Sequence, residues 1–308
     1  MAKNENNTKA NEAGMALKKT RGDKIFDAVN FLIMLVICIC IAYPLWFVLV
    51  ASFTDPDIVN QGKLLIFPTK PFVGGYERII DYTPLWQSYW NTIVYTVTGT
   101  LVSLAATIPC AYSLSRKDMA GRRPIMFLFT FSMFFSGGII PMYIVIQNLG
   151  IYNTIWAMVL PPAVSAYNLI VCRSFFDSSI PMELLEASKL DGCTDFGFFF
   201  KIVIPLSSTI IAVMVLFYGT AMWNQFMNAL MFMETQDKMP LQVILRNLIL
   251  INQASNLSTD ASEIIMRQKL AEQLKYGVIV VSALPLLIVY PFLQKYFTKG
   301  VMIGAVKG

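Results

Sequence analysis

The sequence contains no histidine. That absence removes the commonest general acid or base near neutral pH, every Ser–His nucleophile and the commonest metal ligand. The five cysteines offer no replacement. Cys38, Cys40, Cys110 and Cys172 fall in or at the edges of apolar runs, Cys193 lies in a polar loop, and no CxxC pair occurs. Neither a zinc site nor a disulfide framework follows from them. They read as small buried hydrophobes, and no metal ligand or catalytic residue is expected. No phosphate-cradling GxxxxGK[ST] loop is present either, so nucleotide energy, if used, must come from another chain. Charge is scarce as well: Asp, Glu, Lys and Arg make up 14% of 308 residues, against roughly a quarter in a soluble domain.

Apolar residues fill that space, at 56% of the chain. Crossing ~30 Å of hydrocarbon at ~1.5 Å per residue takes about 20 apolar residues in a helix. Six segments approach or exceed that length: 25–51, 91–115, 124–149, 154–172, 206–233 and 276–293. Lipid offers no partner for backbone N–H and C=O groups, so each span is expected to be a helix; the ~10-residue alternating strands of a barrel are not evident. The expected fold is therefore all-α, a polytopic membrane protein with six transmembrane helices. The first span is too long for a signal-peptide core, and "ICICIAYPLWF" lacks a small-residue cleavage site, so it is expected to be retained.

Lysine and arginine outside the spans divide sixteen to eight between the two sides. The richer side holds the tail 1–24, the loop "RKDMAGRR", the loop before the fifth span and the tail 295–308, and is expected to be cytoplasmic. A multi-pass cell-membrane protein with both termini inside follows, with outer segments at 52–89 and 234–275 and a tight outer turn at "GIYN". The net charge of +5 is accounted for by this asymmetry, with "RKDMAGRR" as positive-inside anchoring, and implies no nucleic-acid partner.

Between the fourth and fifth spans lies "EASKLDGCTDFGFFFKIVIPL", which mixes charge, glycine and aromatics. Ser178 or Ser179 can cap a helix, Pro181 suits a first helical position, and Glu183 and Glu186 put negative charge where a helix N-terminus favours it. A short helix over 181–190 is predicted, with Met182, Leu185 and Ser188 on its rims. Asp191-Gly192 supplies the stop, because glycine takes the left-handed cap conformation without a Cβ penalty. A second short helix through "DFGFFFKIVI" then ends as Pro205 leads into the fifth span. The expected product is a helix–turn–helix elbow, 181–205, projecting into the cytoplasm.

Glu186-Ala187-Ser188, three residues, Gly192, nine residues, then Ile202-Val203-Ile204-Pro205 resembles the EAA motif, E-A-A-x3-G-x9-I-x-L-P, of binding-protein-dependent ABC importer permeases. Ser188 stands for the second alanine, Ile204 for leucine, and Thr209 where many relatives have a second proline. "AYSLSR" (111–116), "LGIYNT" (149–154) and the tail "GVMIGAVKG" (300–308) extend the resemblance to the carbohydrate group, near maltose-permease-G-type subunits and the complex-oligosaccharide branch. The resemblance implies a type I importer permease fold with its core at 90–294. It also implies a second homologous permease, two ATP-binding subunits seated on the elbow, and an extracellular or periplasmic sugar-binding protein delivering an oligosaccharide. Transport would proceed by alternating access, with ATP hydrolysis on a partner and no cofactor in this chain. Glu183, Glu186, Ala187, Ser188, Asp191, Gly192, Ile202 and Pro205 are then candidate ATPase-coupling residues. Family precedent carries the tail, with Gly304, Lys307 and Gly308, between the ATPases; a frayed end is the plainer reading. The outer loop 234–275 would meet the binding protein or, since it holds two apolar-periodic stretches, form a small packed subdomain over the pathway.

Substrate contacts carry a weaker signal. In "GTAMWNQFMNALMF", Asn224 and Asn228 share a predicted helix face at i,i+4 beside Trp223 and Gln225, and amides within a span point to a cavity or a partner helix. These four are candidate pathway residues, with interhelical hydrogen bonding as the plainer reading. A secondary transporter or a channel working without an ATPase is the rival class, but no firm case of intramembrane charge, broken helix, internal repeat, filter or charged pore ring is legible in the sequence.

Overall fold

The computed structural model describes residues 20–62, 66–254, 269–270, 272–288 and 290–291. Helices dominate, and among the described residues no β-strand forms beyond an isolated bridge between Thr54 and Pro71. In chain order the helices are α1 (Arg21–Ser52), α2 (Pro56–Asn60), α3 (Gly74–Ile80), α4 (Thr83–Ser115), α5 (Arg122–Phe134), α6 (Ile139–Asn148) and α7 (Ile155–Val159). Then come α8 (Ala166–Ser179), α9 (Met182–Leu190), α10 (Asp195–Leu206), α11 (Ser208–Trp223), α12 (Met227–Phe232), α13 (Leu241–Ala254) and α14 (272–288).

α1 and α4 are long and apolar enough to cross a membrane unbroken, whereas several expected spans are interrupted. The stretch 124–149 forms α5 and α6 with a bend of 117°. Gly137-Gly138 permits it, because Gly138 sits at φ +85°, a region closed to most L residues. The stretch 154–172 stops after Val159, where Pro161-Pro162 removes two backbone donors, and restarts once Ser165 caps the Asn168 N–H at 3.4 Å. The stretch 206–233 begins inside α10, bends by 78° into α11 and breaks again at 224–226. Non-helical backbone at membrane depth is tolerated where protein buries it. Here the buried Tyr218 hydroxyl accepts the Ser165 N–H at 3.2 Å and shares a 2.6 Å hydrogen bond with Thr107, tying the 160–165 break to α4 and α11.

α4 is the spine. Its 33 residues make it ~50 Å long, so its ends stand clear of ~30 Å of hydrocarbon. It packs most extensively against α11 and α8. Small residues allow the approach: a Cβ on Gly99 would lie 2.5 Å from the sulfur of buried Met222, the close backbone contact typical of membrane helices. At one end, Ile108, Tyr112 and Leu114 join Cys172 and Phe176 of α8, Leu185 of α9 and Phe198 of α10 in a single core.

At the other end Leu85 packs with Ile79, Trp223, Leu241 and Leu274. Buried Gln273 clamps that end: it accepts the Gly75 N–H at 2.7 Å and donates to the carbonyls of Ser52, at 3.0 Å, and Phe72. Asn91, Thr92 and Tyr95 of α4 bond the backbone of Asp237, Leu241 and Lys238. The start of the 234–275 loop is therefore a packed subdomain, while 255–268 lie outside the described residues. α1, by contrast, buries only Val50, Ala51 and Ser52.

Candidate functional site

The elbow forms as two helices joined by a glycine turn. α9 starts at Met182 with Pro181 as its N-cap (φ −63°, ψ 148°), one position outside the first helical residue. Ser178 and Ser179 do not cap it, contrary to expectation, because they complete α8, where the Ser178 hydroxyl donates to the Phe175 carbonyl at 3.1 Å. Glu183 lies in the first turn and Glu186 a turn later, so the former meets the helix dipole more closely. At the far end Gly192, at φ +75°, donates to the Lys189 carbonyl at 3.0 Å, and the Cys193 N–H donates to Ser188 at 2.9 Å. These are the paired bonds of a Schellman cap. Thr194 then caps α10 through the Gly197 N–H at 3.2 Å. Within α10 a π turn at Phe199–Val203 accommodates Pro205, which has no N–H for the Lys201 carbonyl and would crowd it in a regular helix.

Leu185 and Ser188 face inward and are not rim residues: both are buried, with the Ser188 hydroxyl bonded to the Leu185 carbonyl at 2.8 Å, and Met182 is half-buried. A helix of nine residues is marginal alone. Burial of Leu185, Phe198 and Val203 holds the elbow, each such side chain contributing ~1.5–3 kcal/mol when removed from water. The outward face carries Glu183, Glu186, Ala187, Asp191 and Gly192; Pro205 is also exposed and Ile202 half-buried. Leu190 and Phe196, flanking the turn, are 91% and 79% exposed. Glu186 makes no hydrogen bond or ion pair among the described residues.

Charge ties the elbow to α4. Arg116, at the C-cap of α4, donates through Nη1 to Asp195 at 2.8 Å and through Nε to Asp118 at 2.9 Å. Lys189 stands 3.7 Å from the same Asp195 oxygen. The bond to Asp118, then that to Asp195, pushes the Arg116 guanidinium further up, and Arg116 holds both carboxylates below their usual range. Arg122 and Arg173 donate to the carbonyls of Ser115, at 3.2 Å, and Leu114, at 3.0 Å, satisfying the last turn of α4. The "RKDMAGRR" loop, expected only as an anchor, supplies the residues that close the end of α4 and join it to the elbow. Sequence reading missed this role because the only local signal was the arginine closing "AYSLSR", and its partner lies 79 positions away.

The amide cluster departs from its predicted geometry. α11 ends at Trp223, Asn224 is its C-cap and α12 begins at Met227, so Asn224 and Asn228 do not share one helix face. Asn224 donates to the Thr220 carbonyl at 2.9 Å and Asn228 to the Gln225 side chain at 3.1 Å. Trp223 is buried against Ile79, Leu85 and Leu241, its indole N–H 3.3 Å from the Ser282 carbonyl. Gly304, Lys307 and Gly308 lie outside the described residues. Asn153 of "LGIYNT", at φ +55°, was not anticipated: its side-chain oxygen accepts the Glu234 N–H at 3.2 Å and its own N–H reaches Phe232 at 2.9 Å. The motif clamps the start of the 234–275 loop. Among the described residues no group of three or more Cys, Asp or Glu is placed to hold a metal.

Comparison with known proteins agrees with this architecture. A family model described as "Binding-protein-dependent transport system inner membrane component" matches residues 13–303. The chain is 40% identical over 287 residues to the polygalacturonan/rhamnogalacturonan transport system permease protein YtcP of Bacillus subtilis (strain 168), covering 93% of this chain and 99% of that one. It is 27% identical over 271 residues to the arabinooligosaccharides transport system permease protein AraQ of Halalkalibacterium halodurans, covering 86% and 91%. A crystal structure of a bacterial ABC transporter involved in the import of the acidic polysaccharide alginate holds a chain 31% identical to this one. It aligns over 92% of this chain and 100% of that chain, with a TM-score of 0.80. The all-α arrangement is therefore the type I importer permease fold, and the protein is a transport permease, not an enzyme. The chain belongs to the family of binding-protein-dependent transport system inner membrane components.

Proposed function

We propose that this chain is one permease half of an ATP-driven importer of oligosaccharides, with uronate-containing, acidic sugars as its substrate class. It would work by alternating access with a second homologous permease, two ATPase subunits on the elbow and an extracellular or periplasmic binding protein, in the cell membrane with both termini cytoplasmic. The observation that carries this reading is the elbow, a helix pair fixed by its Schellman turn and packed on the main helices, which turns Glu186, Leu190 and Phe196 outward. A mixed acidic and apolar surface of that kind suits a groove on a partner with a basic residue. The relatives named for polygalacturonan/rhamnogalacturonan and alginate support the acidic class. So does exposed Arg246, stacked 5.5 Å over the ring of Phe226 on the segment that carries Gln225 and Asn228. A guanidinium suits a carboxylate, an aromatic ring a sugar face, and amides hydroxyl groups.

Affinity purification of this chain, expressed with its neighbouring transport genes, should bring down an ATPase and a second permease. The complex in proteoliposomes should take up oligogalacturonates only with ATP and the binding protein. Uptake by the chain alone, driven by an ion gradient or by diffusion, would instead support a secondary transporter or a channel.

A further inference from the structure

α4 and the elbow meet in two different ways. On one side the contact is dense, with Leu185, Phe198 and Val203 packed in the same core as Leu114 and Phe176. On the other side a cavity of ≈ 500 Å³ is lined by Pro109 and Tyr112 of α4 and by Phe196 and Phe200 of α10, next to the contact of the Tyr112 and Phe199 rings at 5.2 Å. Arg116 and Asp195 both line that cavity and are joined directly by a 2.8 Å bond. Asp195 is also the first residue of α10 and lies 3.7 Å from Lys189 of α9, so one carboxylate joins three helices. The guanidinium side chain is 16% exposed and the Asp195 side chain 58%, so the pair is half-open to solvent and partly screened. The far end of α4 bonds the backbone of residues 237–241 through Asn91, Thr92 and Tyr95. A displacement delivered to Arg116 therefore has a continuous helix along which to reach the outer subdomain.

We propose that Asp195, through its pair with Arg116, is a positioning residue that converts movement of the elbow into movement of α4. This rests on the reading of the elbow as the ATPase contact. The packed side acts as a pivot and the ion pair beside the cavity as a tie. Without the tie, the elbow rocks about Leu185 and α4 is left behind.

The test uses the whole complex, with binding protein, in proteoliposomes supplied with radiolabelled oligogalacturonate. Uptake and ATP hydrolysis are measured together for wild type, Asp195→Asn, Arg116→Gln, the double variant and Asp118→Asn. In Asp195→Asn and Arg116→Gln, sugar moved per ATP should fall about threefold to fivefold, the scale of one lost, partly exposed ion pair, while ATPase subunits stay bound and hydrolysis continues. The double variant should fall no further than either single one, since both remove the same interaction. Asp118→Asn removes a second partner of Arg116 without touching α9 or α10, and should lower the ratio less than Asp195→Asn does. Uptake and hydrolysis falling in proportion, loss of the ATPases, or equal damage from Asp118→Asn would each overturn the tie and leave the proposed function standing. A wild-type chain that retains no ATPase would overturn both.

Discussion

Replacing Gly192 by valine isolates the turn of the elbow from everything around it. Gly192 adopts φ +75°, and a Cβ built there has no neighbour within 4 Å. The damage is therefore conformational, not steric: a β-branched residue in the left-handed region carries ~1–3 kcal/mol of strain. Against that stand the two cap bonds, from Gly192 to Lys189 at 3.0 Å and from Cys193 to Ser188 at 2.9 Å, each worth ~0.5–1.5 kcal/mol net. The two sums are of the same size, so the turn loses its single conformation and α10 its direction relative to α9. Asparagine tolerates the left-handed region and is the matched control. Neither substitution touches an apolar span, so assembly in the membrane should survive. In proteoliposomes Gly192→Val should lose most binding-protein-stimulated uptake, and Gly192→Asn should stay near wild type. Wild-type uptake and ATPase stimulation in the valine variant would refute the reasoning, and equal losses in both variants would shift the cause to bulk against a partner.

Glu186→Lys reverses the charge of an outward carboxylate that has no partner among the described residues and should release the ATPases, measured by their retention on affinity purification; full retention argues against the elbow as their seat. Gln273→Leu leaves the buried Gly75 N–H unpaired along with the carbonyls of Ser52 and Phe72, at ~1–3 kcal/mol for each orphaned group. A lowered Tm in detergent is expected, and an unchanged one removes the clamp. Gly99→Val drives a methyl pair into Met222 and should destabilise by ~1–3 kcal/mol. Gly219→Ala, whose new Cβ meets only Thr100 at 3.8 Å, should be tolerated, and similar melting of the two would contradict the close packing of α4 on α11. Asp118 and Asp195 are held below their ordinary value of 3.8, chiefly by hydrogen bonds to Arg116. A carboxylate lowered on folding stabilises above its unfolded pKa and loses that contribution as pH falls through the folded one. Sugar moved per ATP should therefore be flat from about pH 5 to about pH 8, and a step within that window would implicate another group.

The helical class and the outline of the elbow were legible because their causes are local. Run length sets a span, and Pro181 and Gly192 bound α9 within a residue of expectation. The breaks were visible only in part. Gly137-Gly138 and Pro161-Pro162 stand in the sequence, yet the 117° bend between α5 and α6 depends on what packs around it. The i,i+4 pairing of Asn224 and Asn228 failed because it presumes an unbroken helix, and no glycine or proline announces the break at 224–226. Nothing local in the sequence pairs Arg116 with Asp195 or marks Arg122 and Arg173 as caps for the end of α4. The amino-acid sequence by itself determined which groups could not be left bare in lipid or unpaired when buried, since desolvation acts on each group wherever it lies. Only the tertiary structure decided which partner met each of them, because pairings 79 residues apart depend on how whole helices pack.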